Sequence, residues 1–360
     1  MPHTPPRQKE TMHRAQRDST ASLVDLASRC ELDEREDVRL AHQSSGMLRL
    51  KSKPSDLDLE GLSRASAPPA KKRAVSIPWS DLKKVRYVAE GAHCTVHLAE
   101  LNDNPIAVKL LKQEHLGDPV VTRDLEVETE LLLGMSHKHV IKLFGSGSVQ
   151  GCNFLVLERL QTTLAQKYVN QVKVPLFSRA SRKQSASFNT TLVVAEQLAQ
   201  AMVYIHDDAF PEHQLLHRDL KPDNIGFAFD GRLVLFDFGL AKLIPRPTAK
   251  IPHPVDMTGK TGSARYMAPE IALSRPYNGA ADVYSFSMIL WATAAHKKPF
   301  NGMDLEGLYS RVIYGDERPS CSATWPAAFN SLLADCWSPM AKDRPTFAQV
   351  LERIRAMLKQ

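Results

Sequence analysis

The sequence predicts an α+β protein, with a small sheet and one helix first and a mostly helical region after it. Three observations carry this. Strand-like runs crowd residues 85–158, with a single helical run among them at 125–135. Beyond that span the apolar spacing becomes helical, over 191–207, 280–295, 304–312 and 347–358. Between the two regimes stands one hairpin signal, residues 225–229 and 232–236 around Asp230-Gly231, a pair that suits the positive φ angles of a tight turn.

Composition narrows the classes. The chain has 360 residues, 43% hydrophobic and 24% charged, a balance expected of a soluble globular protein, and room for two or three average domains or one large domain with a tail. A net charge of +6 favours acidic partners, although a basic tail produces the same sign. No apolar run is long enough to span a bilayer, and the start shows no basic segment followed by an apolar one. The cysteines Cys30, Cys94, Cys152, Cys321 and Cys336 are scattered, with no CxxC pair. Neither a disulfide framework nor a zinc site is suggested, and a reducing cytoplasmic setting, or a nuclear one, fits best.

Residues 1–78 read as a tail. Pro, Ser, Arg and Glu dominate, and the first aromatic residue is Trp79, so the segment cannot bury enough apolar area to offset its conformational entropy. Within it, residues 22–32 carry Leu23, Val24, Leu26 and Ala27 at helical spacing, which suits a docking peptide or a solvated linker. Lys71-Lys72-Arg73 ahead of Ser76 has the layout of a basophilic phosphoacceptor site or a weak nuclear signal, against a plain solvated tether. Order is expected from residues 79–81. Residues 85–90 and 94–100 form strands around a turn, and 105–111 forms a third. The helix at 125–135 carries Glu126, Glu128 and Glu130, and residues 140–149 and 152–158 give two more strands. Residues 167–188 hold five basic residues, four serines and no acid, which reads as a docking or regulatory insert or as a solvated loop. The helix at 191–207 is apolar at Leu192, Ala195, Leu198, Ala199, Met202 and Ile205, and is therefore buried.

That helix delivers the chain to LLHRDLKPDNIGFAFDGRLVLFDFG, residues 215–239, which places Asp219 and Asn224 five residues apart and Asp237 eighteen beyond Asp219. A polar hairpin with chance acids is the bland alternative, but HRDxxxxN followed by DFG at this spacing is far more specific than a lone glycine motif. The stretch resembles the protein kinases, and the resemblance covers residues 79–358. It implies a two-lobed fold, an antiparallel β-sheet N-lobe and a mainly α-helical C-lobe joined by a hinge at 158–161, with ATP in the cleft between them. By the same resemblance Asp219 orients a substrate hydroxyl, Lys221 places positive charge on the transferred phosphate, and Asn224 and Asp237 hold Mg2+ (or Mn2+). Ile106-Ala107-Val108-Lys109 matches the strand whose lysine contacts the α and β phosphates, and the spacing to His137 selects Glu128 as its partner. Val96 and Ala107 would line the adenine pocket, and backbone groups of Glu158 and Leu160 would bond the adenine edge.

The three positions of the family's glycine-rich loop fall on Ala89, Gly91 and Cys94, so only the middle glycine remains. Ala89 and Cys94 carry a Cβ, which restricts the backbone where it covers phosphates. In TGKTGSARYMAPE, Thr258 and Thr261 are candidate activating phosphosites that would dock on Arg218 through an upstream kinase, while Ser263 aligns with a hydroxyl bonded to the catalytic Asp. Asp282 is expected to bond the catalytic loop's backbone and Arg344 to pair with Glu270. Lys221-Pro222 favours serine/threonine transfer, and DVYSF with CWSPMAKDRP resembles the tyrosine-kinase-like group. Protein substrates bearing Ser or Thr are implied, and no nucleic acid partner. The rival reading is a pseudokinase acting as a scaffold, supported by the altered loop; a small-molecule kinase lacks support because the APE-type segment is present.

Overall fold

The computed structural model describes residues 74–169, 188–246 and 254–359. The helical-spaced stretch at 22–32, the basic triad at 71–73 and most of the basic insert, 170–187, lie outside the described residues.

The first lobe is a five-stranded sheet: β1 (Lys83–Glu90), β2 (Cys94–Leu101), β3 (Asn104–Leu111), β4 (Leu143–Val149) and β5 (Cys152–Glu158). Their order is β1-β2-β3-β5-β4, and every pair is antiparallel. Ile106, Val108, Phe154 and Val156 point to one face and are buried there, the period-2 pattern of a half-covered sheet. Helix α1 (Pro119–Gly134) covers the other face with Val121 and Leu125. It begins six residues before the expected Leu125. Asp118 caps it, accepting from Val120 N at 2.9 Å, and Pro119 occupies the first turn, where its missing N–H costs nothing. The strand expected at 140–149 begins only at Leu143; Val140 instead bridges to Leu235 in the other lobe.

Packing also begins before Trp79, within the expected tail. Ile77 N donates to Ser146 O at 2.9 Å and Ser146 N to Val75 O at 3.0 Å, so residues 75–77 lie as a strap along the free edge of β4. Ile77 is buried against the sheet's core.

The second lobe is built on helices α2 (Phe188–Val203), α3 (Ala280–Ala295), α4 (Ala327–Cys336) and α5 (Phe347–Leu358). The α3 helix is buried on all sides from Ala281 to Thr293, as expected of a helix apolar all round. Thr346 and Gln349 form a capping box that starts α5. The expected helix to residue 207 continues past Val203 as a wider coil, Tyr204–Asp208, and the helix expected at 304–312 is one turn, Leu305–Gly307, followed by a wider coil, Leu308–Ile313.

Short strands β6 (Thr162–Thr163), β8 (Ile225–Phe227) and β9 (Leu233–Leu235) form one small sheet, and β7 (His213–Leu216) pairs with β10 (Lys242–Pro245). The hairpin at Asp230-Gly231 exists, but its strands are shorter than expected. Only Gly231 takes a positive φ, +84°, and Ala228 N→Arg232 O at 2.8 Å closes a longer connection. Arg232, just past the turn, reaches both Glu158 and the carbonyl of Lys138, tying the end of β5 to the second lobe. Leu235 N→His139 O and Ile141 N→Leu235 O, each 2.9 Å, make a second tie.

Candidate active site

Lys109 sits on the central strand β3, where the register sets it between Val96 on β2 and Leu155 on β5. Its Nζ donates to Glu128 Oε2 and to Asp237 Oδ1, both at 2.7 Å. Three segments far apart in sequence thus meet at one ammonium. Burial alone would lower the lysine's pKa, but the carboxylates of Asp237 and Glu128 outweigh it and hold the group charged, above its ordinary value. Burial likewise works to raise Asp237, and Lys109 overrides it, bringing the carboxyl down to about 2. Glu128 is the deeper acid: burial dominates there and its pKa is raised, although Lys109 and Phe238 N (3.2 Å) both bond it. Glu126, on the same helix, is exposed and within 3.5 Å of Arg123.

Asp219 is fixed from four sides. Its Oδ1 accepts from Ser263 N and Ser263 Oγ, each at 3.0 Å. Its Oδ2 accepts from Asn224 Nδ2 at 3.0 Å and lies 3.3 Å from Lys221 Nζ. Asn224 Nδ2 also donates to the backbone carbonyl of Asp219 at 2.8 Å, which leaves its amide oxygen as the atom suited to a cation. The Ser263 approach depends on Gly262, at φ +94°: a Cβ there would meet Arg218 O at 2.4 Å. Arg218 and Asp237 themselves hold φ of 69° and 66°, uncommon for non-glycine residues and a form of strain that clusters at functional sites.

The loop is anchored from below by Asp282, at the start of α3. Its carboxylate accepts from His217 N at 2.9 Å, from Arg218 N at 3.0 Å and from His206 Nε2 at 2.9 Å. His206 and His217 are buried and serve this scaffold. Arg218 then turns outward, donating to Thr258 Oγ1 at 2.5 Å and Thr261 Oγ1 at 3.0 Å. Arg344 is bidentate to Glu270, at 2.6 and 3.0 Å.

The loop between β1 and β2 keeps the turn expected of it. Ala89 pairs with Val96, and Gly91 N donates to Cys94 O at 2.8 Å. Burial pushes the Cys94 thiol up to about 11, which makes it a packed thiol and not a reactive one. Sequence reasoning missed what fastens this loop. His115 Nε2 lies 3.2 Å from the carbonyl of Ala92, its ring meets that of His93 edge-on at 5.0 Å, and Lys112 N donates to His93 O at 3.0 Å. Ala107 pairs with Leu157 on β5, and Glu158 and Leu160 follow at the crossing between lobes.

Among the described residues no cluster of three or more His, Cys, Asp or Glu makes a self-sufficient metal cage. The donors present are instead one carboxylate, Asp237, and one amide oxygen, Asn224. That set fits a hard cation that takes its remaining ligands from a phosphate-bearing substrate.

Comparison with known proteins shows the family. A family model described as protein tyrosine and serine/threonine kinase matches residues 82–354. The chain is 27% identical to mitogen-activated protein kinase kinase kinase 7 of Drosophila melanogaster over 80% of its own length and 39% of that protein. It is 28% identical to serine/threonine-protein kinase VIK of Arabidopsis thaliana, over 76% of this chain and 59% of that protein. With CTR1, also a serine/threonine-protein kinase of Arabidopsis thaliana, it shares 24% identity over 79% of this chain and 32% of that one. The chain thus spans between about a third and three fifths of these relatives. With the match running almost the whole length of the described fold, the chain belongs to the protein tyrosine and serine/threonine kinase family.

Proposed function

We propose that the chain is an ATP-dependent protein serine/threonine kinase of the tyrosine-kinase-like group, acting on protein substrates in signalling. The observation that carries the reading is the meeting of Lys109, Glu128 and Asp237 at 2.7 Å contacts, beside an Asp219 held by Ser263 and Asn224. In the transfer, a substrate hydroxyl oxygen bonds the γ-phosphorus as the bridging bond to ADP breaks. Asp219 receives or orients the hydroxyl proton, and Lys221, 3.3 Å from it, brings positive charge to the phosphoryl group. Lys109, oriented by Glu128, contacts the α and β phosphates. Asp237 and the Asn224 amide oxygen are the ligands we assign to Mg2+, with Mn2+ as the alternative, and the cation when bound neutralises triphosphate charge. Ala89, Gly91, Val96, Ala107, Glu158 and Leu160 form the nucleotide side. Cys94, Cys152, Cys321 and Cys336 are all free thiols, which supports a cytoplasmic or nuclear setting.

Radiolabelled ATP and a generic protein substrate test the reading, with Asp219→Asn as control. Phosphoserine or phosphothreonine above the control supports it; labelling equal to the control favours the scaffold.

Two further outcomes are expected. His115→Ala releases the carbonyl of Ala92 and should raise the KM for ATP by roughly 2- to 10-fold with kcat little changed, the worth of one hydrogen bond; steady-state kinetics at varied ATP reads it. Thr258 and Thr261 are the proposed activating sites, for an upstream kinase or for the chain itself. A phosphate on either would replace a neutral acceptor for the Arg218 guanidinium with an anionic one, turning the contact into an ion pair. Thr258→Ala with Thr261→Ala should therefore cost roughly tenfold or more in activity of the phosphorylated protein, on the scale of one to three new charged bonds. Intact activity in that variant removes the switch.

A further inference from the structure

The strap along β4 is a built feature. The strand reads Leu-Phe-Gly-Ser-Gly-Ser-Val, and its two glycines make the seat. A Cβ on Gly145 would meet Val75 O at 2.4 Å and Ile77 Cδ1 at 2.6 Å, and one on Gly147 would meet Ile77 O at 2.3 Å. Neither glycine has a positive φ, so close approach of the strap, and not turn geometry, is what excludes a side chain here. Ile77 anchors the strap, 6% exposed in the cluster with Phe154 and Val156. Ser76, between the two backbone bonds, is exposed. In sequence it stands three residues after Arg73, with Lys71 and Lys72 before that.

We propose that Ser76 is a phosphoacceptor for an arginine-directed serine/threonine kinase, and that the strap decides when it can be modified. The modifying enzyme supplies ATP chemistry: the Ser76 Oγ–phosphorus bond forms, the γ-phosphoryl bond to ADP breaks, and the hydroxyl proton leaves to that enzyme's base. Such enzymes read an extended peptide with its backbone accessible on both sides of the acceptor. Here the amide of Ile77 and the carbonyl of Val75 are held by Ser146, and Ile77 is inside the core. Modification therefore draws on the fraction of molecules in which the strap has lifted, and anything that raises that fraction raises the rate in proportion.

Gly145→Ala bears on the strap, because the three atoms nearest its added Cβ all belong to Val75 and Ile77; Gly147→Ala would also strike Phe154, 2.4 Å away. The experiment takes the full chain with Asp219→Asn, to silence transfer by the chain itself, and a purified arginine-directed kinase with radiolabelled ATP. Phosphate is mapped by mass spectrometry, and a free peptide of residues 71–79 sets the ceiling rate. Expected are phosphate on Ser76, its loss in Arg73→Ala, and a rate about tenfold or more higher in Gly145→Ala, the shift that overpacking of this kind produces. Ile77→Ala, which removes the anchor without adding bulk, should also raise the rate. Amide exchange at Ile77 and Ser146 should quicken in both variants. Labelling that spares Ser76 in protein and variants while the peptide is modified overturns the site. Equal rates in wild type, Gly145→Ala and Ile77→Ala, with exchange quickened, overturn the gating. The test does not require that the chain transfer phosphate, so it stands apart from the functional reading above.

Discussion

Asp219→Asn should lower kcat for phosphate transfer by roughly 10²- to 10⁴-fold, the range of a lost general base. The substitution is nearly isosteric. An asparagine oxygen at the Oδ1 position can still accept from Ser263 N and Oγ, which keeps that tie to the loop, while the amide nitrogen at the Oδ2 position loses the bond from Asn224 Nδ2. What goes is the charge and the ability to take a proton. ATP affinity should change little, because Lys109, Glu128 and Asp237 form a separate bonded group. Paired measurements of kcat and ATP binding check this; transfer at the wild-type rate would take Asp219 out of the chemistry.

Arg344→Leu is expected to be the most damaging change to the fold. The guanidinium is fully buried, with side-chain exposure of 0%, against 11% for Glu270. It bonds both Glu270 oxygens, the carbonyl of Ala280 at 2.9 Å and that of Ser338 at 2.9 Å, and so joins the segment after Ala268 to the start of α3 and to the α4–α5 connection. Removing it leaves a buried carboxylate without its counter-charge, a loss of about 3–5 kcal/mol. For a protein of this size that is about 10 °C in Tm. Thermal unfolding of Arg344→Leu, Glu270→Leu and the double variant checks it. The double variant should be less damaged than the sum of the singles, since the second change removes the stranded charge. Strict additivity would mean that the two side chains do not act as a pair.

These two residues also mark how far the chain could be read. Asp219, Asn224 and Asp237 lie within nineteen consecutive residues, so their spacing is visible in one dimension. Arg344 and Glu270 are 74 residues apart, and only the likeness to a family pairs them in the sequence. Among the acids of α1, helical spacing alone could not choose between Glu126, Glu128 and Glu130; burial does, placing Glu128 against Lys109 and Glu126 at the surface. The early start of α1 is legible in Asp118-Pro119, a cap and a first-turn proline, and in Val121, which stands one turn before Leu125 on the buried face.

Local order along the polymer determined the alternation of strands, the apolar helices and the spacing of Asp219, Asn224 and Asp237. Each of these depends on residues a few positions apart, and backbone geometry repeats at that range. Only the tertiary structure decided that Gly145 and Gly147 are a seat for residues 75–77, that His115 fastens the loop at Ala92, and that Arg232 ties the two lobes together. Such contacts leave no periodic trace. They arise where distant segments come within bonding distance, and that distance is set by the packing of the whole core.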